Sequence, residues 1–197
     1  MRPGREQYAS NRYAYFVSTQ TWSRRTLFRN ERWASLLCQT LDHYNGNGYL
    51  LHAFVVMPDH LHLLITPQES LEKSVQLVKG GFSFRCKREL QSRMEVWQPG
   101  FTDHRIRDEH DWKNHLEYIR LNPVHAGLVE DSAQYPYMAF PGNSWPRGVK
   151  PLDLPRQDVR AEARTLHPEL NRQQDESAMF PDSNTDVELG SKQNNAT

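Results

Sequence analysis

Hydrophobic and polar residues are patterned most clearly in the stretch from residue 54 to residue 67, F-V-V-M-P-D-H-L-H-L-L-I-T-P. An apolar run is followed by a Pro-Asp pair typical of a tight turn, and then by a second, largely apolar run. This pattern predicts two strands joined by a short turn. Residues two apart on a strand share a face, so His60 and His62 point one way while Leu61 and Leu63 point the other.

Similar patterns predict the elements that precede the histidine strand. Residues 13–21 are rich in aromatic and β-branched side chains, which predicts a first strand. Asn30 is a suitable cap for a helix whose apolar residues recur at helical spacing. The helix should end at the N-G-N-G sequence of residues 45–48. Residues 49–57 then form the strand that pairs with the histidine strand.

Two helices and one short strand are predicted after the hairpin. The first helix follows Ser70 and runs to about Arg93, with a Gly-Gly pair in its middle that costs about 1 kcal/mol per glycine relative to alanine. The sequence T-D-H-R-I-R at 102–107 predicts the strand. Asp108 caps the second helix, which should end before Pro123 because proline disfavours a helical conformation in the residue before it.

The order of these elements predicts an α+β fold, an antiparallel sheet with helices on one side. The apolar blocks end near residue 140, and the remaining sequence is polar with few aromatic residues. Such a composition buries too little surface to offset the entropy of ordering the chain. We therefore expect a flexible N-terminus over 1–12, one folded domain over 13–140, and a largely disordered tail over 141–197.

Charge is distributed unevenly, although the chain as a whole has a formal net charge of zero. Residues 1–130 hold 17 Lys and Arg against 14 Asp and Glu, and residues 131–197 hold 7 against 10. A mildly positive folded part is compatible with a polyanionic partner. The two cysteines form no paired motif, and no apolar run approaches the 18 or so residues of a membrane span. We expect a cytoplasmic protein without a membrane segment.

His60 and His62 are candidate metal ligands, because their Cα atoms lie about 7 Å apart on one strand and their imidazoles can converge on one ion. A lone His-x-His more often consists of two ordinary histidines on the solvent-exposed face of a strand. Tyr118 and Asn122 are four residues apart on the last helix and share a face. Imidazole nitrogen with amide oxygen suits magnesium or manganese better than structural zinc. The other histidines considered have no partner at ligand spacing and are interpreted as ordinary: His104, His110, His115 and His125.

Four sequence blocks carry a resemblance to a known family. M-P-D-H-L-H-L-L resembles the HUH motif (His, hydrophobic residue, His) of single-tyrosine DNA transposases. L-V-K-G-G-F-S-F-R, W-Q-P-G-F-T-D-H-R-I-R and E-Y-I-R-L-N-P-V-H-A-G-L-V resemble the branch called REP-associated tyrosine transposases. The resemblance covers about residues 12–140, and the four blocks in this order are far more specific than His-x-His alone.

The resemblance implies the ferredoxin-like fold of HUH endonucleases and a residue-by-residue mechanism. His60, His62 and Asn122, where relatives often have glutamine, would hold a magnesium or manganese ion that withdraws charge from the scissile phosphate. Tyr118 would attack that phosphate in single-stranded DNA, forming a 5′-phosphotyrosine and freeing a 3′-hydroxyl. A second 3′-hydroxyl could then complete strand transfer without ATP. Hairpin-forming DNA repeats are the implied partner, and relatives are monomers or homodimers.

Basic and aromatic residues lie where a nucleic acid could use them. Lys and Arg side chains that contact phosphates make binding salt-dependent, and aromatic rings can stack on bases. The stacking candidates are Trp22, Trp97 and Phe101. The alternative is that the basic residues form solvated faces and the tryptophans belong to the core. The candidate DNA-binding residues are Arg24, Arg25, Lys79, Arg85, Lys87, Arg88, Arg105 and Arg107.

Two other functions stay open at this level. A domesticated module could bind single-stranded nucleic acid without cutting it, but it would not need His60, His62 and Tyr118 together. A metal-dependent hydrolase could use His-x-His with water as the nucleophile, and would then form no covalent adduct with DNA. A conventional zinc enzyme is disfavoured because no third ligand recurs at the usual spacing.

Overall fold

The computed structural model describes residues 13–142. The expected flexible N-terminus and all but the first two residues of the expected tail lie outside the described residues.

The domain is built on a five-stranded antiparallel sheet with the strand order β4-β1-β3-β2-β5. The strands are β1 (Tyr15–Gln20), β2 (Tyr49–Met57), β3 (His60–Pro67), β4 (Thr102–Arg105) and β5 (Met138–Ala139). The predicted hairpin is therefore the centre of the sheet, since β2 and β3 pair along nearly their whole length. β5 has only two residues, too short for a periodic pattern, and was not predicted.

Three helices complete the fold: α1 (Glu31–Tyr44), α2 (Leu71–Glu89) and α3 (Glu109–His125). Each begins at the predicted cap, whose side chain accepts a hydrogen bond from a backbone amide of the first turn. The Asn30 carbonyl oxygen lies 3.0 Å from the Arg32 amide, and the Ser70 hydroxyl lies 3.1 Å from the Lys73 amide. The Asp108 carboxylate caps α3 in the same way. The α+β, antiparallel fold class is confirmed.

The helices cover both faces of the sheet, so the expectation of helices on one side was wrong in that respect. Leu61, Leu63 and Ile65 of β3 pack in one core with α1 and α2. Leu64 packs in a second core with Trp112 and Ile119 of α3 and neighbouring residues of β1 and β2. The central strands are buried on both faces, and each apolar face needs its own cover.

α3 also extends past the predicted stop, because Pro123 lies inside the helix and is buried. Proline lacks an amide hydrogen, but the helix closes around it: the Ala126 amide donates to the Asn122 carbonyl over 3.0 Å. The Leu128 amide donates to the Pro123 carbonyl over 2.9 Å. Burial of the proline ring and these closing bonds outweigh the local preference of the residue before proline.

The Gly-Gly pair of α2 serves a contact between helices. A methyl group at Gly81 would lie 2.5 Å from Cε2 of Tyr44 on α1, whereas one at Gly80 would meet no atom within 4 Å. Gly81 therefore allows the tyrosine ring to approach the α2 backbone closely.

Candidate active site

His60 and His62 lie on the face of β3 that α3 covers. Their ring centroids are 4.8 Å apart, and the rings meet at 75°. His62 is buried with 6% of its surface exposed, while His60 lies at the margin of the site. The alternation of β3 that places Leu61 and Leu63 in the opposite core thus holds both imidazoles on one face.

Each ring has its Nδ1 atom hydrogen-bonded within the protein. Nδ1 of His60 lies 2.6 Å from Oδ1 of Asp59, and Nδ1 of His62 lies 2.6 Å from the Ser18 hydroxyl on β1. Asp59 also accepts from Nε of Arg24 over 3.0 Å. The hydrogen bond with His60 lowers the pKa of Asp59, and the nearby Arg24 lowers it further. Burial acts in the opposite direction, but the pKa stays below its usual value. Nε2 is therefore the nitrogen that either ring would offer to a metal.

Tyr118 of α3 lies against His62. Its hydroxyl oxygen is 3.4 Å from Nε2 of His62, and the two ring centroids are 5.1 Å apart. The Phe16 ring of β1 contacts both, stacked on His62 at 5.2 Å and edge-on to Tyr118 at 5.6 Å. Asn122 is half-buried one helical turn beyond Tyr118 on the same face. Tyr118 and His62 are 56 positions apart in the sequence, and they come into contact because α3 packs on the sheet.

Several predicted DNA-binding residues make contacts within the protein. Nζ of Lys79 donates to the carbonyls of Gln98 and Gly100 over 2.7 and 2.6 Å. Arg85 forms an ion pair with Glu89 at 2.7 Å. Nε of Arg107 lies 3.4 Å from the Asp111 carboxylate. These three side chains have structural roles in addition to any role on DNA.

The remaining basic candidates range from half-buried to exposed. Arg24 pairs with Asp59, and Arg25 donates to the carbonyls of Trp22 and Glu95. The Arg105 guanidinium lies over the Tyr13 ring, 5.0 Å from its centroid. Two exposed residues of α2 complete the set, Lys87 and Arg88. Since α2 packs on the face opposite the histidines, the structure does not gather all eight residues at one place.

The stacking candidates differ in exposure. Trp22 is 37% exposed beside the loop that carries Arg24, so its ring is accessible. Trp97 is 7% exposed, belongs to the core formed with α1 and α2, and donates from Nε1 to the Lys79 carbonyl over 3.1 Å. Phe101 is partly buried against the same core. The prediction for Trp97 was wrong, because its ring fills the core.

A second polar cluster lies on the face of the sheet that α3 covers, and it was not predicted from the sequence. His104 of β4 and Asp111 and His115 of α3 place their ligand-type atoms within 4.8 Å of one another, and they could hold a metal ion. The expectation that His104 and His115 have no partner at ligand spacing was therefore wrong. The Asp-x-x-x-His spacing of residues 111–115 was a usable signal, but the contribution of β4 depends on tertiary packing.

Among the described residues, no helix is both long and apolar enough to cross a membrane.

Comparison with known proteins identifies the family. The family model described as "Transposase IS200 like" matches residues 9–122. A REP-associated tyrosine transposase of Escherichia coli (strain K12) is 29% identical over 149 residues, covering 71% of this chain and 87% of the relative. A putative REP-associated tyrosine transposase of Haemophilus influenzae is 32% identical over 140 residues, covering 65% of this chain and 77% of the relative.

A solved structure shares the fold. It is described as a REP-associated tyrosine transposase bound to a REP hairpin, and it is similar to 79% of this chain and 92% of its own, with a TM-score of 0.58 and 25% identity. The region that the family model matches includes the paired histidines, the facing tyrosine and strands β1 to β4. This chain belongs to the IS200-like transposase family and, within it, to the REP-associated tyrosine transposases.

Proposed function

We propose that this protein cuts single-stranded DNA with Tyr118 as the nucleophile and then transfers the attached strand. The observation that carries the proposal is the 3.4 Å distance between the Tyr118 hydroxyl and Nε2 of His62. A tyrosine with only a packing role would not need its hydroxyl at a pair of histidines with fixed rings. The family's tyrosine transposase activity supports the same assignment.

In the proposed step, the Tyr118 oxygen bonds to phosphorus and the bond from phosphorus to the 3′ oxygen breaks. The phenol loses its proton, and the leaving 3′ oxygen gains one, so the products are a 5′-phosphotyrosine and a free 3′-hydroxyl. Attack by a second 3′-hydroxyl reverses the chemistry and releases Tyr118. A free phenol titrates near pH 10, so its proton must be drawn away at neutral pH. A cation held by the neighbouring histidines would favour loss of that proton, because a nearby positive charge stabilises the phenolate.

We assign the metal of this reaction to His60, His62 and Asn122. Two imidazole nitrogens and one amide oxygen fit magnesium or manganese, and the Asp59 and Ser18 contacts orient the rings as metal-binding histidines require. When bound, such an ion would withdraw charge from the scissile phosphate.

We propose hairpin-forming single-stranded DNA as the substrate, because a similar transposase was solved bound to a REP hairpin. Arg24 and Trp22 lie beside the histidine strand and are the best placed to guide the strand into the site. The protein would act as a monomer or homodimer. A DNA substrate and two unpaired cysteines, Cys38 and Cys86, fit a cytoplasmic location.

The experiment is a denaturing gel of protein mixed with labelled hairpin DNA taken from the region around its own gene. Wild type, Tyr118→Phe and the control Tyr44→Phe would be compared with manganese and with a chelator. Tyr44 packs on Gly81 with the helices of the opposite face, so its substitution tests for a general effect of losing a phenol. We expect a slow protein–DNA band only with metal and only when Tyr118 is present.

The alternatives predict different gels. Cutting without a covalent band, in wild type and Tyr118→Phe alike, would assign the chemistry to a water-using hydrolase. A complex on a native gel without cutting on any tested hairpin would favour the non-cutting binding module. We expect Tyr118→Phe to bind the hairpin with an affinity within about twofold of wild type, since a single phenolic hydroxyl contributes little to phosphate-dominated binding.

A further inference from the structure

The face of α3 that carries Tyr118 continues toward the N-terminus of the helix with two more polar side chains. Asp111, His115, Tyr118 and Asn122 are spaced at four, three and four residues, so they form one stripe. The stripe faces the sheet, where His62 lies under Tyr118 and His104 lies under Asp111. We call His104, Asp111 and His115 the β4–α3 clasp.

The Asp111 carboxylate is the centre of the clasp. It accepts from Nε2 of His104 at 2.8 Å and from the backbone amide of Arg107 at 3.0 Å. Nδ1 of His115 lies 3.2 Å from Oδ1, the second oxygen of the Asp111 carboxylate. The side chains of the clasp are only 11–13% exposed. Burial opposes ionisation, but the hydrogen bonds from His104 and His115 prevail and hold the pKa of Asp111 far below its usual value. The carboxylate is therefore charged and enclosed by donors.

The clasp is linked to the candidate active site by one ring. The His115 ring contacts the Phe16 ring at 4.7 Å, and Phe16 contacts both His62 and Tyr118. Phe16 is also the partner of His104 in the pairing of β1 with β4. A shift of the first turns of α3 relative to the sheet would thus displace His115, then Phe16, and then the rings of the reaction centre.

We propose that the β4–α3 clasp is a positioning device that holds Tyr118 at its working distance from His62. This inference rests on the proposed role of Tyr118. The clasp joins the edge strand β4 to the helix that carries the nucleophile, at a place where the packing is polar rather than apolar. Small displacements of a nucleophile reduce rates strongly: about 1 Å can cost on the order of a hundredfold.

A metal ion at the clasp is the competing interpretation. The residue types suit one, but Nδ1 of His115 also lies 2.8 Å from the Asp111 backbone carbonyl, and this bond requires a proton on that nitrogen. The Arg107 guanidinium lies 3.4 Å from the same carboxylate. An ion at the carboxylate would have to replace the hydrogen bonds that His104 and His115 donate to it and approach the arginine charge, so a hydrogen-bonded clasp accounts better for the contacts.

The test compares cleavage kinetics of Asp111→Asn with those of wild type and of His110→Ala. Asparagine keeps the shape of Asp111 but removes its charge, and His110 is its exposed neighbour outside the clasp. We expect kcat for Asp111→Asn to fall 10- to 100-fold, while KM for hairpin DNA and the manganese affinity stay within twofold. His110→Ala should match wild type in all three.

A second pair of variants keeps the test decisive if Asp111→Asn does not fold. His104→Gln places an amide donor near the position of Nε2, whereas His104→Leu removes the donor but fills the space. We expect His104→Gln to retain at least a third of the wild-type kcat and His104→Leu to lose it at least tenfold. Equal rates in this pair, or an unchanged kcat in a folded Asp111→Asn protein, would overturn the proposal.

Zinc binding decides between the clasp and a metal site. Equilibrium dialysis against zinc alone would use the His60→Ala/His62→Ala protein, with and without Asp111→Asn. We expect neither protein to retain stoichiometric zinc. Stoichiometric zinc that is lost with Asp111→Asn would establish a metal site instead. If Tyr118→Phe still cuts DNA, the proposed function fails; if Tyr118→Phe is inactive and Asp111→Asn is fully active, only this inference fails.

Discussion

Ser18 shows how one small side chain can set the chemistry of a larger one. Its hydroxyl lies 2.6 Å from Nδ1 of His62, directly across the pairing of β1 with β3. If Nδ1 donates its proton to Ser18, the lone pair of Nε2 is directed toward the metal site. In that arrangement the hydroxyl holds the tautomer and ring orientation that metal binding needs.

We predict that Ser18→Ala lowers the manganese affinity of the protein about tenfold, the lower end of the range for partners of metal-bound histidines. Isothermal titration with manganese measures this directly, without DNA. Ser35→Ala is the matched control, because Ser35 lies on α1 and away from the histidines. An affinity unchanged in Ser18→Ala would mean that sheet packing alone orients His62.

His52 is a second buried histidine with a different role. Only 6% of it is exposed, its Nε2 atom lies 2.9 Å from the Thr66 hydroxyl, and its ring packs edge-on against Trp112. Burial lowers the pKa of His52 from the usual 6.5 to about 4. The folded protein therefore keeps this ring neutral at a pH at which the unfolded chain would protonate it.

The sign of the effect on stability follows from that pKa. Below pH 6.5 the unfolded state binds a proton that the folded state does not, so stability falls on acidification and the loss ends near pH 4. We predict a loss of about 2 kcal/mol from His52 between pH 7 and pH 5. Urea unfolding at both pH values measures it. His52→Gln should show a smaller drop than wild type, and the exposed His43→Gln should show the wild-type drop.

At the scale of elements, the adjacent glycines of α2 have opposite roles. Gly80 has open space around it, while Gly81 accepts the Tyr44 ring. We predict that Gly80→Ala raises the free energy of unfolding by about 1 kcal/mol, because alanine is the better helix former. Gly81→Ala should lower it by about 1–3 kcal/mol, because the new methyl group displaces Tyr44. Chemical denaturation of the two variants provides the comparison, and equal effects would remove the close packing of α1 on α2 from the explanation.

Elements were predictable where the signal was local. The alternation of Leu61 to Ile65 and the caps at Asn30, Ser70 and Asp108 are properties of neighbouring residues, and these starts were correct. The continuation of α3 through Pro123 was not predictable, because it depends on burial of the proline ring.

The histidine pair and Tyr118 were found from a motif and a resemblance. The clasp was missed, because His104 and Asp111 meet only after β4 and α3 pack together.

At the scale of the whole molecule, the two faces of the sheet separate the chemistry from part of the basic surface. The histidines and Tyr118 lie under α3, whereas Lys87 and Arg88 lie on α2 on the other side. This separation could not be predicted from the sequence, because the sequence identifies the basic residues but not the face of the sheet on which each one lies. A hairpin that contacts both groups would have to pass around the edge of the domain.

Salt dependence tests whether DNA follows that route. We predict that Lys87→Ala/Arg88→Ala reduces the slope of log affinity against log salt by about 1.4, as for two phosphate contacts with a single strand. Arg85→Ala should change the slope less, because Arg85 already pairs with Glu89. Fluorescence anisotropy with labelled hairpin at several salt concentrations measures both. An unchanged slope in the double variant would show that α2 does not contact the DNA.

The outermost strands of the sheet are its shortest, with four residues in β4 and two in β5. An edge strand presents unpaired backbone donors and acceptors on which a strand of another molecule can add. Edge strands this short present few unpaired backbone groups to another molecule. The long and strongly apolar hairpin lies at the centre of the sheet, away from these edges. Within residues 13–142, the domain therefore carries an aggregation-prone hairpin at its centre without exposing it, and its two edges present little backbone on which a strand of a second molecule could add.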